Sequence, residues 1–282
     1  MKYFKTYESF KGTEFLKDPV EIKAWLAEMK IKNYTIGKDG IVDVNGDVNI
    51  NRKKLERIPV QFGKVDSDFK CYRNQLTSLK GVPEKVVGDF DCSNNQLTSL
   101  EGTPKEVGGD FWCYRNQLTS LKGAPKIVSG EFWCDHNQLT NLEGAPEKVG
   151  GSFGCYENQL TSLKGAPKYV GDIFNCCINL LTSLEGAPEI VGGEFGCYGN
   201  QLISLIGMPE VKGKVQFDDN RGIPSKILDK VYKLMKKNKT DWDTEIKKYS
   251  QDDPTVIKYL PKEELKRLSL DKESKLKSSG LI

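Results

Sequence analysis

Seven of the eight cysteines, Cys71, Cys92, Cys113, Cys134, Cys155, Cys176 and Cys197, fall 21 residues apart, and the single histidine, His136, stands two residues after one of them. Thiol and imidazole are the groups in this chain best suited to chemistry. A Cys134–His136 pair has the composition of a nucleophile and its base. Zinc would need cysteines in pairs about two to four residues apart, and the adjacent Cys176-Cys177 has no second pair to join it. Disulfides belong to oxidising compartments. A spacing this regular assigns the thiols to one repeated interior position, as small apolar side chains. In that register Cys134 points into the core and His136 out toward the strand exit, so no dyad is predicted. No phosphate loop, metal cluster or paired carboxylate site stands out, which predicts a non-enzymatic protein without a cofactor.

Aligned on the cysteines, the unit reads V-G-G-D-F-x-C-x-x-N-Q-L-T-S-L-x-G-A-P-x-x. A fixed period of this length means a solenoid of stacked coils. Phe69, Phe90, Phe111, Phe132, Phe153, Phe174 and Phe195 each stand two before a cysteine, so both side chains share one face of a short strand. Stacked in register, these strands predict a parallel sheet with a Phe column beside a Cys column. The asparagines three after each cysteine, from Asn74 to Asn200, predict a buried ladder that satisfies backbone groups where each strand ends. The leucines from Leu76/Leu79 to Leu202/Leu205 fill the core floor. Gly and Pro after them exclude a helix from the return leg, which is predicted extended or turn-like. Val44, Val48, Ile50, Leu55 and Ile58 keep phase with the first full unit. Val211, Val215, Phe217 and Asn220 keep phase with the last, one residue short. About nine strands follow, roughly 40 Å of sheet.

The run resembles leucine-rich repeats, whose signature L-x-x-L-x-L-x-x-N/C-x-L is matched by Val87, Phe90, Cys92, Asn95 and Leu97. In other units the Val sits one position upstream, as Val107 and Val149 do. The short unit and its prolines are similar to the compact repeats of secreted bacterial effectors. The wording GDFxCxxNQLTSLxGAP resembles still more closely uncharacterised leucine-rich repeat proteins of large tailed phages. The resemblance covers about 44–220 and implies a parallel sheet on a concave face, an extended convex side and a habit of binding partners. The effectors' ubiquitin-ligase domain has no counterpart, since no cysteine lies outside the repeats.

Outside the run, residues 1–43 read as an N-terminal helical and hairpin cap, 44–222 as the solenoid and 223–282 as a C-terminal helical cap with a basic tail. In the first segment Asp18 is the expected N-cap, with Pro19 at the first helical position and Ile22, Trp25, Leu26 and Met29 as one apolar stripe. Strands are expected at Tyr34–Ile36 and Ile41–Val44. Ser225 is the expected cap of a later helix whose inward residues are Ile227, Leu228, Val231 and Met235. The segment beyond Asn238 reads as short helices broken at Pro254 and Pro261, a solvated appendage first and a docking segment second. A hydrophobic share of 38% with 27 glycines is thin for a single globular core and suits an elongated stack. A net charge of +3 does not point to nucleic acid, and neither a membrane-length apolar run nor a secretory leader is present, so a soluble cytoplasmic chain is expected.

Strand residues that alternate with Phe and Cys are predicted to face outward. One before each cysteine they are Lys70, Asp91, Trp112, Trp133, Gly154, Asn175 and Gly196; one after, Tyr72, Ser93, Tyr114, Asp135, Tyr156, Cys177 and Tyr198. Asp68, Asp89, Asp110, Glu131 and Glu194 form a solvated acidic edge. Trp112 and Trp133 on neighbouring strands, with Tyr72, Tyr114, Tyr156, Tyr198, Arg73, Arg115, Asp91, Asp135 and His136 around them, make the candidate partner surface, because Trp, Tyr and Arg are enriched at binding hot spots. Aromatics also pair across strands for stability alone, but Gly154 and Gly196 in the same column give up such contacts. The expected function is protein binding, on the phage resemblance against a host protein in the host cytoplasm. The alternative is a virion or capsid-cargo component, since MKYFKTYESF loosely resembles phage targeting peptides and Leu26-Ala27-Glu28 fits their L-x-E processing pattern. Single-stranded nucleic acid is disfavoured by the acidic edge.

Overall fold

The computed structural model describes residues 15–268 and residue 270. The MKYFKTYESF stretch and nearly all of the terminal SLDKESKLKSSGLI lie outside them. Each 21-residue coil contributes two short strands, where the sequence predicts one. In the coil around Cys113 these are Glu106–Val107 and Phe111–Trp112. Stacking produces a ten-stranded sheet through the Val positions and a nine-stranded sheet through the Phe positions. Pairing is parallel throughout except between β1 (Tyr34–Ile36) and β2 (Val42–Val44), the hairpin that opens the larger sheet. The degenerate first coil is in register, Val44 against Val65 and Val48 against Phe69, and the shortened last coil pairs Val191 with Val211 and Phe195 with Val215.

The second sheet exists because its valine is an interior residue as constant as the Phe. Val86, Val107, Val128, Val149, Val170 and Val191 are buried and in register from coil to coil. In the coil where the signature matched Val87, it is Val86 that lies inside, and Val87 is 47% exposed. Between the two strands the chain turns against its predecessor so tightly that a side chain at Gly108 or Gly150 would overlap the carbonyl oxygen of Val87 or Ser129.

The Phe column stacks with ring centroids 5.1 to 5.8 Å apart from Phe69 to Phe195. The seven periodic cysteines beside it are fully buried. The asparagine ladder forms as expected. Asn95 donates from Nδ2 to the carbonyls of Cys92 (3.0 Å) and of Cys71 one coil earlier (3.1 Å), while its Oδ1 accepts from Leu76 N–H (3.0 Å). Asn116 repeats this one coil on with Cys113, Cys92 and Leu97. Each amide thus ties two coils together where the strands stop, and its loss would leave buried backbone groups unpaired.

The acidic edge is a second ladder and not a solvated fringe. Asp68 Oδ1 accepts from Asp89 N–H (2.9 Å), Asp89 from Asp110 N–H (2.9 Å) and Asp110 from Glu131 N–H (2.7 Å). Gly88, Gly109 and Gly130 lack a side chain where those carboxylate oxygens sit. This is why the unit carries G-D at that place.

At the N-terminal end, α1 (Pro19–Glu28) starts with Asp18 accepting from Val20 N–H (2.8 Å) and buries Ile22, Trp25 and Leu26. Trp25 touches Phe62 at 6.2 Å between centroids. At the other end, α2 (Ser225–Asn238) begins at the expected cap residue itself, one residue early: Pro224 holds the cap position, and Ser225 Oγ donates to the Phe217 carbonyl (2.7 Å). Tyr232 packs edge-on against Phe217. Beyond it, α3 (Trp242–Asp252), a 3-10 turn (Pro254–Tyr259) and α4 (Lys262–Arg267) are not a solvated appendage. Trp242, Ile246, Val256, Ile257 and Leu265 are buried, and Trp242 Nε1 donates to Glu264 (3.3 Å).

Two residues after each cysteine-equivalent the backbone enters the left-handed region, with φ between 49° and 55° at Arg73, Asn94, Arg115, His136, Glu157 and Ile178. That conformation suits Asn or Gly and is strained for a β-branched side chain. Ile178 is 41% exposed, so it gains little burial in return. In urea unfolding, Asn116→Ala should lose about 1–3 kcal/mol, whereas Ile178→Asn should gain about 1 kcal/mol. Equal, small changes from both would contradict the ladder and the strain together.

Candidate functional site

Outward strand positions of the Phe-bearing sheet carry the candidate residues, and the register brings most of them to one place. Trp133 pairs directly with Trp112, and Trp112 with Asp91. Asp91, Trp112, Tyr114, Arg115, Trp133, Asp135, His136 and Tyr156 line one open depression of about 480 Å³. Tyr72, Arg73 and Tyr198 are not among its lining residues. The two tryptophans and four tyrosines are half-buried, Arg73 and Arg115 exposed.

Asp91 and Asp135 depart from their expected exposure. They are 5% and 4% exposed. For Asp135 the reason is an alternation of large and small side chains after the cysteines: Tyr72, Ser93, Tyr114, Asp135, Tyr156, Cys177, Tyr198; Asp91 lies in the column before them, in register between Lys70 and Trp112. Adjacent strands stand about 4.8 Å apart, so tyrosines on every second coil are about 10 Å apart, and each small residue sits between two rings. Ser93 and Cys177 are buried in the same way. Tyr156 shows how the cover forms. Its ring leans back one coil to meet His136 edge-on at 4.9 Å, and its hydroxyl lies 2.8 Å from His136 Nε2. Tyr72 leans back likewise, toward the Arg52 guanidinium at 5.9 Å.

Three residues outside the candidate partner surface fix the site. Glu131 accepts from Trp133 Nε1 at 2.7 Å and so sets the plane of that indole. It stands two residues earlier, just before the strand Phe132–Trp133. Glu157 holds His136 Nδ1 at 2.7 Å. Gly154 gives Trp133 room: a Cβ there would overlap the six-membered ring of the indole. The glycine therefore does not forgo contact, as its place in the column suggested; it lets the neighbouring ring lie across it. Cys177 and Gly196 repeat the arrangement on a smaller scale, with the sulfur 2.9 Å from where a Cβ would stand.

Burial raises the Asp135 carboxyl to about 7, against the pull of the Tyr156 N–H that it accepts at 2.8 Å and with a smaller push from Glu157. The Asp91 carboxyl is also raised, first by burial, although it accepts from Ser93 N–H at 2.9 Å and stands in register with Lys70. Burial, then the charges of Asp135 and Glu157, raise the Tyr156 phenol.

The geometry separates Cys134 from His136. Cys134 is buried on the core side with Sγ donating to the Gly154 carbonyl (3.2 Å), while the imidazole is engaged by Tyr156 and Glu157 on the outer face. Burial pushes the thiol well above its ordinary range, away from the thiolate that a nucleophile needs. Among the described residues no group of three or more His, Cys, Asp or Glu side chains is placed to hold a metal ion, and no helix is long and apolar enough to cross a membrane.

The two-sheet stack of 21-residue coils is consistent with a leucine-rich repeat fold. No protein-family model matches the sequence, and a search of curated proteins finds no match. Among solved structures the chain is similar to YopM from Yersinia enterocolitica WA-314, at 20% identity and a TM-score of 0.44, over 58% of this chain and 42% of that one. The chain thus spans less than half of YopM's length, and a likeness of this size says nothing about activity or partners.

Asp135 gives a pH dependence of known sign. Its folded carboxyl keeps a proton up to about pH 7 that the unfolded chain, at an ordinary 3.8, has already released. The stability linked to that proton is complete below about pH 4 and lost as the pH rises through about 7. Asp135→Asn keeps the acceptor for Tyr156 N–H and removes the titration. In urea unfolding the variant should gain on the natural protein by a few kcal/mol between about pH 4 and about pH 8. Parallel pH profiles for the two would contradict the burial of this charge.

Proposed function

We propose that the chain is a non-enzymatic binding scaffold that presents the outer face of its Phe-bearing sheet, the concave side of the stack, to one protein partner. The observation that carries this reading is the gathering of Trp112, Trp133, Tyr114 and Tyr156, all half-exposed, around a single depression. The same columns elsewhere hold Gly196, Asn175 and Ser93, so the sheet itself does not require the aromatics. Fixed, amphipathic rings of this kind give large contact area with few rotatable bonds, as binding hot spots do.

In this reading residues 44–222 are the binding unit, and the segments 1–43 and 223–282 are caps. Trp25 against Phe62 and Tyr232 against Phe217 support that role, since they cover the last aromatic residues of the core at either end. Single-stranded nucleic acid also stacks on aromatics, but carboxylates set among the rings would repel its phosphates. A host protein, met in the host cytoplasm, as the partner of a phage-encoded chain rests on the resemblance in repeat wording alone. The virion or capsid-cargo alternative gains nothing from Leu26-Ala27-Glu28. The stretch lies at the end of α1 with Leu26 fully buried, where a protease would first have to unfold the helix.

Immobilised protein and its Trp112→Ala/Trp133→Ala variant, exposed to the same bacterial lysate, test the proposal. A protein retained by the first and lost from the second is expected. Identical retention by both would remove the aromatic patch as the binding site, and retention that collapses steeply with salt would point to nucleic acid instead.

A further inference from the structure

We propose that the depression receives one basic side chain, a lysine or arginine, of the protein partner, with its alkyl stem against Trp112 and Trp133 and its charge directed at the Asp135 and Asp91 carboxylates. The inference rests on the reading of this face as the partner surface, and it adds the chemistry of what binds there.

Two acids more than nine-tenths buried line an open, aromatic-walled hollow. Asp135 accepts the backbone N–H of Tyr156, and Asp91 accepts from Ser93 through both its N–H and its side chain, with the Lys70 charge nearby. Neither is in an ion pair among the described residues. Nearby cations are committed elsewhere: the Lys70 ammonium lies 2.6 Å from Asp68, and His136 is held by Glu157 and the Tyr156 hydroxyl. A buried carboxylate without a counter-charge is costly, and the cost falls when a cation arrives with its own hydrogen bonds.

The walls favour the same occupant. Indole and phenol faces attract cations, Trp most strongly, and the attraction grows when water is excluded. The Trp133 ring is fixed in place by Glu131 at its nitrogen and by the absence of a side chain at Gly154. Lysine and arginine bring both parts that the hollow calls for, an apolar stem and a charged end. Glu131 and Glu157 add negative charge at the rim, which would draw a basic segment in. Arg115 is the exposed cation at the lining. Held on a left-handed turn beside the hollow, it competes with the incoming charge and does not receive it.

The test follows the indole N–H signals of Trp112 and Trp133 by nuclear magnetic resonance, using the full chain. The probes are N-acetyl-lysine N-methylamide, its ε-acetylated counterpart, the matching arginine compound and the matching glutamate compound. Lysine and arginine compounds should shift both signals saturably, and the acetylated and glutamate compounds should not. Asp135→Asn, which keeps the acceptor for Tyr156 N–H, should weaken lysine binding about tenfold. Asp91→Asn provides a second, independent loss, and Arg115→Ala should strengthen binding. Equal binding of the acetylated compound, or unchanged affinity in both carboxylate variants, would overturn the proposal. Should the tryptophan variant lose its partner from lysate while the lysine compound leaves the indoles unmoved, the partner surface stands and the basic side chain does not. Should the lysine compound bind while lysate capture ignores the tryptophans, the hollow is a cation site and the partner reading falls.

Discussion

The asparagine amide that joins one coil to the next is the constraint from which the rest follows. Its Nδ2 reaches two cysteine carbonyls 21 residues apart, and its Oδ1 takes the leucine N–H of the earlier coil. A slip by one residue would break all three contacts and turn the Phe and Cys columns toward water. Register is therefore fixed from inside, independently of what the outer positions carry. That independence is what lets neighbouring coils place tryptophan, aspartate or glycine at one position without changing the stack.

A fixed interior also decides how the outer face is built. Strands about 4.8 Å apart leave no room for a bulky ring on every coil unless the rings stack, as the interior Phe rings do. On the outer face the chain takes the other solution, with a small residue beneath alternate tyrosines. The consequence is that Asp135, on a column exposed by periodicity, is largely covered by its neighbours, reached only from the depression that it lines, and titrates as a buried acid. The candidate site is thus a local departure from a repeat: one coil has an acid where others have Ser93 or Cys177, and the next has Gly154 where others have Trp.

Much of this was legible in the residues. Two-residue spacing of Phe and Cys, the unbroken asparagines and the in-phase Val44 to Ile58 each imply a position that the coordinates reproduce. All the lining residues of the depression were among the outward candidates, because alternation along a strand is a reliable guide to its faces. The second sheet was not legible, since a two-residue strand shows no alternation and a Val before two glycines reads as a turn. The aspartate ladder was hidden by its chemistry: an exposed carboxylate column and one that accepts N–H groups from the next coil look identical in sequence, and the glycine before each aspartate was the available clue. Burial of Asp91 and Asp135 depends on which way the flanking rings lean, and no spacing rule encodes that.

Everything rests on the cysteine column lying inside, and thiol accessibility measures that directly. All eight cysteines are free and buried, and burial raises each of them away from the reactive thiolate. Iodoacetamide applied to the native protein, followed by mass spectrometry, should leave every one unmodified, while the same treatment in urea should label them all. Rapid modification under native conditions of any member of the 21-residue series, Cys113 or Cys134 above all, would contradict the inward register and the outer surface deduced from it.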